Sequence, residues 1–172
     1  MIRQSFLYKS KRIEVRATPA VTRLDPRRLE RFVKAAIAAE KTIIASICKK
    51  YPKETEGIKF SFVFKNFKVD EVLGNCDVEY DNSILIELNA KAMGANLCKT
   101  MAHELVHARQ FLSGQLTYNT RIQYLTYEGD KHRYIYRRQP WEIEAYKLES
   151  KGELRMKKWL LNNMEYQPKI IK

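Results

Sequence analysis

The chain has 172 residues with 45% hydrophobic and 11% aromatic content, enough to bury a full core and too apolar for a disordered chain. Six glycines and five prolines leave no long linker, and no run of about eighteen apolar residues or signal-peptide core is present, so one domain over residues 1–172, with no membrane partner and no secretion, is expected. The net charge of +12 is concentrated at the ends, ten Lys/Arg against three acids in residues 1–34 and seven against three in 147–172.

The N-terminal stretch 1–24 reads as a basic segment. Together with the basic C-terminal stretch it offers a surface for nucleic acid or an acidic protein partner, or else a solvated face. Asp25-Pro26 resembles a helix N-cap followed by proline, and Leu29, Phe32, Val33, Ala36, Ile37, Ile43, Ile44 and Ile47 continue a helix to about Lys50. Tyr51-Pro52 ends it. Residues 58–69, dense in Phe and Val, suit a buried strand. Asn75–Tyr80 and Ser83–Leu88 flank the turn Asp81-Asn82 and predict an antiparallel hairpin, whose second arm could offer an exposed edge to an extended peptide.

The next helix, about Ala95 to Leu112, carries His103-Glu104-Leu105-Val106-His107. Positions i and i+4 lie on nearly one helix face, so both imidazoles reach one metal ion. Glu104 projects about 100° away from His103. That is a poor place for a third ligand and a good one for a general base. With three histidines in the chain, a shuffled sequence gives this HExxH pattern in roughly 0.5% of cases. Leu97, Met101, Leu105, Ala108 and Leu112 supply the core side of the helix, and Ser113-Gly114 its end.

A second hairpin is predicted from Tyr124–Tyr127 and Arg133–Arg137 around Glu128-Gly129-Asp130. Pro140 then opens a last helix to about residue 163, with Trp141, Ala145, Leu148, Leu154, Trp159 and Leu160 on its apolar side and Gly152 as a point that would allow a kink or break. Cys48, Cys76 and Cys98 are odd in number and widely spaced, which fits reduced thiols in a cytoplasm.

Catalytic zinc takes three protein ligands and an open position, so the histidine pair needs a partner. Glu142 is the first choice, with His132 and Glu144 as alternatives. Here the chain resembles the gluzincin metallopeptidases, whose metal helix carries HExxH and whose next helix gives a glutamate ligand in an ExxA-type pattern, matched by Glu142-Ile143-Glu144-Ala145. More narrowly, His103–Gln110 followed by Pro140–Ala145 resembles small metallopeptidases of bacteriophages and prophages, over about residues 75–150. The resemblance implies a minimal zincin-like α+β domain with a small mixed or antiparallel sheet, an upstream helix, the HExxH helix and a C-terminal ligand-bearing helix. It also implies Zn2+ on His103, His107 and Glu142, peptide hydrolysis with Glu104 as general base, a protein or peptide substrate, and host cytoplasm if the chain is phage-encoded.

The chain departs from larger gluzincins at Tyr146, where they often place an aspartate that holds a ligand histidine. Glu144, Asp70, Asp81 or a backbone carbonyl is left to do so. Tyr134, Tyr136, Arg137 and Arg138 are candidate oxyanion donors by location. A histidine ligand at His132 would instead resemble SprT-like proteases, which act on DNA-bound proteins. A non-enzymatic module, with zinc as a structural pin and basic ends on nucleic acid, is the alternative of a different class.

Overall fold

Alternating apolar residues build the centre of the molecule. Phe60, Phe62 and Phe64 on β3 (Phe60–Lys65) point to one side, as do Ile13, Val15 and Ala17 on β2 (Ile13–Ala17) and Ile84, Ile86 and Leu88 on β5 (Ile84–Asn89). In the computed structural model, which describes residues 5–23, 25–68, 72–79, 83–90, 96–119, 124–127, 130–131 and 139–171, these strands form a parallel trio. Antiparallel strands flank it: β1 (Ser5–Lys9) beside β2 and β4 (Gly74–Val78) beside β5. The sheet is therefore mixed, in the order β1-β2-β3-β5-β4, and the class is α+β.

The helices pack on the Phe60–Phe62–Phe64 side. They are a short α1 (Pro19–Thr22), α2 (Pro26–Ala39), α3 (Ala45–Lys50), α4 (Leu97–Leu112) and α5 (Pro140–Asn162). Phe32 of α2 stacks on Phe64 at 4.2 Å between ring centroids, and Leu97, Met101 and Leu105 of α4 are fully buried in the same core. The opposite sheet face carries charge, with Glu14 between Lys9, Arg16 and Lys59. Hydrogen bonds from Arg16 and Lys9 hold its carboxyl down at about 2.

Several expectations change. The basic N-terminal segment contains the β1/β2 hairpin. The first long helix is continuous to Lys50 but widens into a π-helical turn over Glu40–Ile44. The expected 75–88 hairpin forms as β4 and β5, its turn at 80–82 lying outside the described residues. However, β5 is paired on both sides, so its edge cannot receive a peptide; among the described residues the edge strand on that side is β4, as β1 is on the other. Tyr124–Tyr127 forms β7, paired with an unforeseen β6 (Leu116–Asn119) and with the two-residue β8 (Asp130–Lys131), so Asp130 is a strand residue instead of a turn residue. Arg133–Arg137 lies outside the described residues. Gly114 takes the expected left-handed conformation, φ 73°. Among the described residues no helix is long and apolar enough to cross a membrane.

Gly152 neither kinks nor breaks α5. A β-carbon there would stand 2.8 Å from Cβ of Ala102 and 3.1 Å from Cδ1 of Ile43, so glycine is what lets α5 lie close on α4. The true buried stripe of α5 is Trp141, Glu142, Ala145, Glu149 and Met156, while Leu154 is 69% exposed. Gly152→Ala would gain about 1 kcal/mol of helix propensity. A methyl forced into a packed contact costs about 1–3 kcal/mol, and the contact is expected to win. The urea midpoint of the variant should fall by the equivalent of about 1 kcal/mol. A higher midpoint would show that α4 and α5 separate without cost.

Candidate metal centre

Two glutamates inside the buried stripe of α5 are an expense unless something meets their charge. Glu142 and Glu149 are seven residues apart, two helical turns, and face α4 together. On α4 they meet His103, Glu104 and His107, all buried. Nε2 of His103 lies 3.2 Å from Oε2 of Glu142 and 3.2 Å from Nε2 of His107, and His107 Nε2 lies 3.4 Å from Oε1 of Glu142. His103, His107 and Glu142 thus form a buried group able to hold a metal ion.

The other ring nitrogens fix what this group presents. Nδ1 of His103 is 3.0 Å from Oε2 of Glu149, which only accepts, so Nδ1 carries the proton. Nδ1 of His107 is 2.8 Å from Oε1 of Gln110. The orientation of that amide follows from its other end, where Nε2 donates to the Trp141 carbonyl (3.1 Å) and to Oε2 of Glu144 (2.8 Å). With the proton on Nδ1, each neutral imidazole turns its Nε2 lone pair toward the other and toward a carboxylate. Two nitrogens and a carboxylate converge there, an arrangement that a bound metal ion or a proton reconciles.

Geometry agrees with a small metal ion. Ligands at about 2.0–2.1 Å in a tetrahedron are separated by roughly 3.3 Å, close to the 3.2 Å between the two Nε2 atoms, while each imidazole faces its own oxygen of Glu142 and one ligand atom from each residue lies within 4.8 Å of the others. Without the ion a proton takes its place. Burial works against a charge on His103, yet the hydrogen bond with Glu142, the charge of Glu104 and the hydrogen bond with Glu149 raise its pKa. Burial likewise pushes Glu142 up, but hydrogen bonds from His103 and His107 bring it down to about 2.

The supports are charged in turn. Lys99 Nζ lies 3.1 Å from Oε1 of Glu149, and Arg109 Nη2 lies 2.6 Å from Oε2 of Glu144. Glu144 thus holds Gln110, which holds His107, and is not itself among the converging atoms. Glu149 occupies the role left open by Tyr146, whose ring instead packs edge-on against His103 at 4.8 Å between centroids. Sequence reasoning missed Glu149 and Gln110. Their signals were present: Glu149 shares a helix face with Glu142, and Gln110 is one turn beyond His107. His132, Asp70, Asp81, Tyr134, Tyr136, Arg137 and Arg138 lie outside the described residues.

Glu104 stands beside the triangle, at the floor of a cleft of about 360 Å³ lined also by Leu73, Gly74, Lys99 and Tyr146. The sheet register explains its neighbour. Ala17, Phe64, Leu88 and Gly74 form one row across four strands, ending at the β4 edge under α4. A β-carbon on Gly74 would stand 2.6 Å from Oε1 of Glu104, so only glycine leaves room for the carboxylate. Burial pushes the Glu104 carboxyl up to about 7 against the pull of His107 and His103.

A raised carboxyl pKa favours the protonated form in the fold. That preference is fully expressed below about pH 4.5 and is lost as the pH rises through about 7. Glutamine has no such loss. In metal-free protein, Glu104→Gln is therefore expected to be more stable than wild type near pH 8, by on the order of 2–3 kcal/mol, and equal to it near pH 4–5. Thermal melts of chelated protein at the two pH values check this, and coincident melts near pH 8 would show the charge to be fully compensated.

No protein-family model, curated protein or solved structure matches this chain.

Proposed function

We propose that this protein is a zinc metallopeptidase of the gluzincin kind, with His103, His107 and Glu142 as ligands and Glu104 as general base. The observation that carries the reading is the convergence of two histidine lone pairs and a carboxylate with a separate buried carboxylate beside them, open to a cleft. Two imidazoles and one carboxylate suit zinc with a free fourth position, and the ion, when bound, lowers the pKa of water toward 7 and polarises a carbonyl.

The chain's residues supply the rest. An Oε atom of Glu104 takes a proton from the attacking water and returns it to the leaving amine. Glu149 and Gln110 keep both imidazoles aimed by accepting from their Nδ1 atoms. The free β4 edge, reaching the cleft at Leu73 and Gly74, is placed to pair with a substrate backbone. Glu142 is preferred to His132 as third ligand because its two oxygens reach both Nε2 atoms. A purely structural zinc pin has no use for Glu104 in a cleft beside the site.

Incubation with a peptide library, read by mass spectrometry for new termini, tests the reading. Zinc-loaded protein should generate cleavages that vanish on chelation and return with zinc. Cleavage persisting after verified metal removal would contradict it.

A further inference from the structure

Charge that lies far apart in the sequence meets in space. The basic segments at the two ends contribute α2 and the second half of α5, which pack together over the first turn of α4. Between them runs a groove of about 400 Å³, with Arg27, Arg31 and Lys34 on one wall and Lys157 on the other. Arg27, Arg31 and Lys157 are exposed. Glu30 lies on the same wall, where Lys34 pairs with it at 2.8 Å, and Lys157 pairs with Glu153 at 2.6 Å, so four basic side chains against these two acids keep the rim net positive. The floor is apolar: half-buried Leu160 with Ala35, Leu97 and Cys98 beneath it.

A basic rim over an apolar floor selects among anions. Single-stranded nucleic acid binds through phosphates plus bases stacked on aromatic rings, and the groove lining contains no aromatic residue. A phosphate backbone also gains nothing from Leu160. An acidic peptide with one apolar side chain satisfies both parts, its carboxylates meeting Arg27, Arg31 and Lys157 and its anchor resting on Leu160. The location adds a reason. Across the same first turn of α4, Asn96, Lys99 and Thr100 line the metal cleft while Leu97 and Cys98 line the groove. Cys98 and His103 are about 7.5 Å apart along the helix axis and about 140° apart around it, so an extended segment passing over the first turn of α4 would join the two sites.

We propose that this groove is a docking site for an acidic peptide segment carrying an apolar anchor and, on the peptidase reading above, that it holds substrates whose scissile bond lies a few residues away. Fluorescence anisotropy of a labelled peptide with one leucine among glutamates, titrated with zinc-loaded full-length Glu104→Gln protein, measures docking without cleavage. Saturable binding is expected, weakened at least tenfold by Arg27→Glu with Lys157→Glu, less by the corresponding glutamine pair, and weakened again when the peptide leucine becomes serine. Binding that ignores these changes, or none at all, would overturn the proposal. So would tighter binding of an oligothymidylate of equal charge that the same variants abolish, since the groove would then be a phosphate site. Docking with no cleavage by the wild type would leave the groove standing and sink the peptidase reading.

Discussion

Glu104→Gln is expected to lower peptide hydrolysis by about 10²–10⁴-fold while leaving the metal in place. Glutamine keeps the shape of the side chain against Gly74, where a β-carbon would already collide, and it keeps the two imidazoles and Glu142 untouched. What disappears is the proton acceptor. A carboxylate accepts the proton and the acid so formed gives it back, and an amide does neither. Rates measured on zinc-loaded wild type and variant, with zinc content verified in both, check the prediction. A variant with wild-type kcat would remove Glu104 from the mechanism.

Zinc is expected to raise the melting temperature of the metal-free protein by about 8–16 °C when supplied at about a thousandfold over its Kd, because binding to the folded state alone contributes about 4 kcal/mol. The ligands explain why the effect is global. His103 and His107 come from α4 and Glu142 from the first turn of α5, so an ion held by all three would bridge two helices that already approach closely at Gly152 and Ala102. In Glu142→Ala the bridge is gone, and the zinc-dependent rise should shrink to a few degrees or less. Scanning calorimetry with and without zinc measures both proteins. An undiminished rise in Glu142→Ala would place the ion elsewhere.

The HExxH helix was legible because its chemistry is local. His103 and His107 are one turn apart, and the core stripe of Leu97, Met101 and Leu105 marks the opposite side. Glu142 was reached from its place in the first turn of the next helix and from the resemblance of its segment, and the structure brings it to the histidine pair. Other features were hidden by distance or by context. Glu149 looked like one more charge on a basic helix, and only its seven-residue offset from Glu142 distinguished it. The β1/β2 hairpin was masked by charge: Glu14 and Arg16 alternate with Ile13, Val15 and Ala17, but the surrounding lysines and arginines suggested a tail. Strand order is not written locally at all. The parallel pairing of β2 with β3 and of β3 with β5 joins segments separated by tens of residues, which is why the free edge was sought on β5 and lies on β4. Gly152 was misread for a related reason, since a close approach to another helix cannot be seen from propensity.

Elemental analysis of zinc-loaded, desalted wild type beside Glu142→Ala and His132→Ala tests the metal centre most directly. About one zinc per chain is expected in wild type and in His132→Ala, and loss of zinc in Glu142→Ala. Wild type without zinc, or Glu142→Ala with as much zinc as wild type, would contradict it.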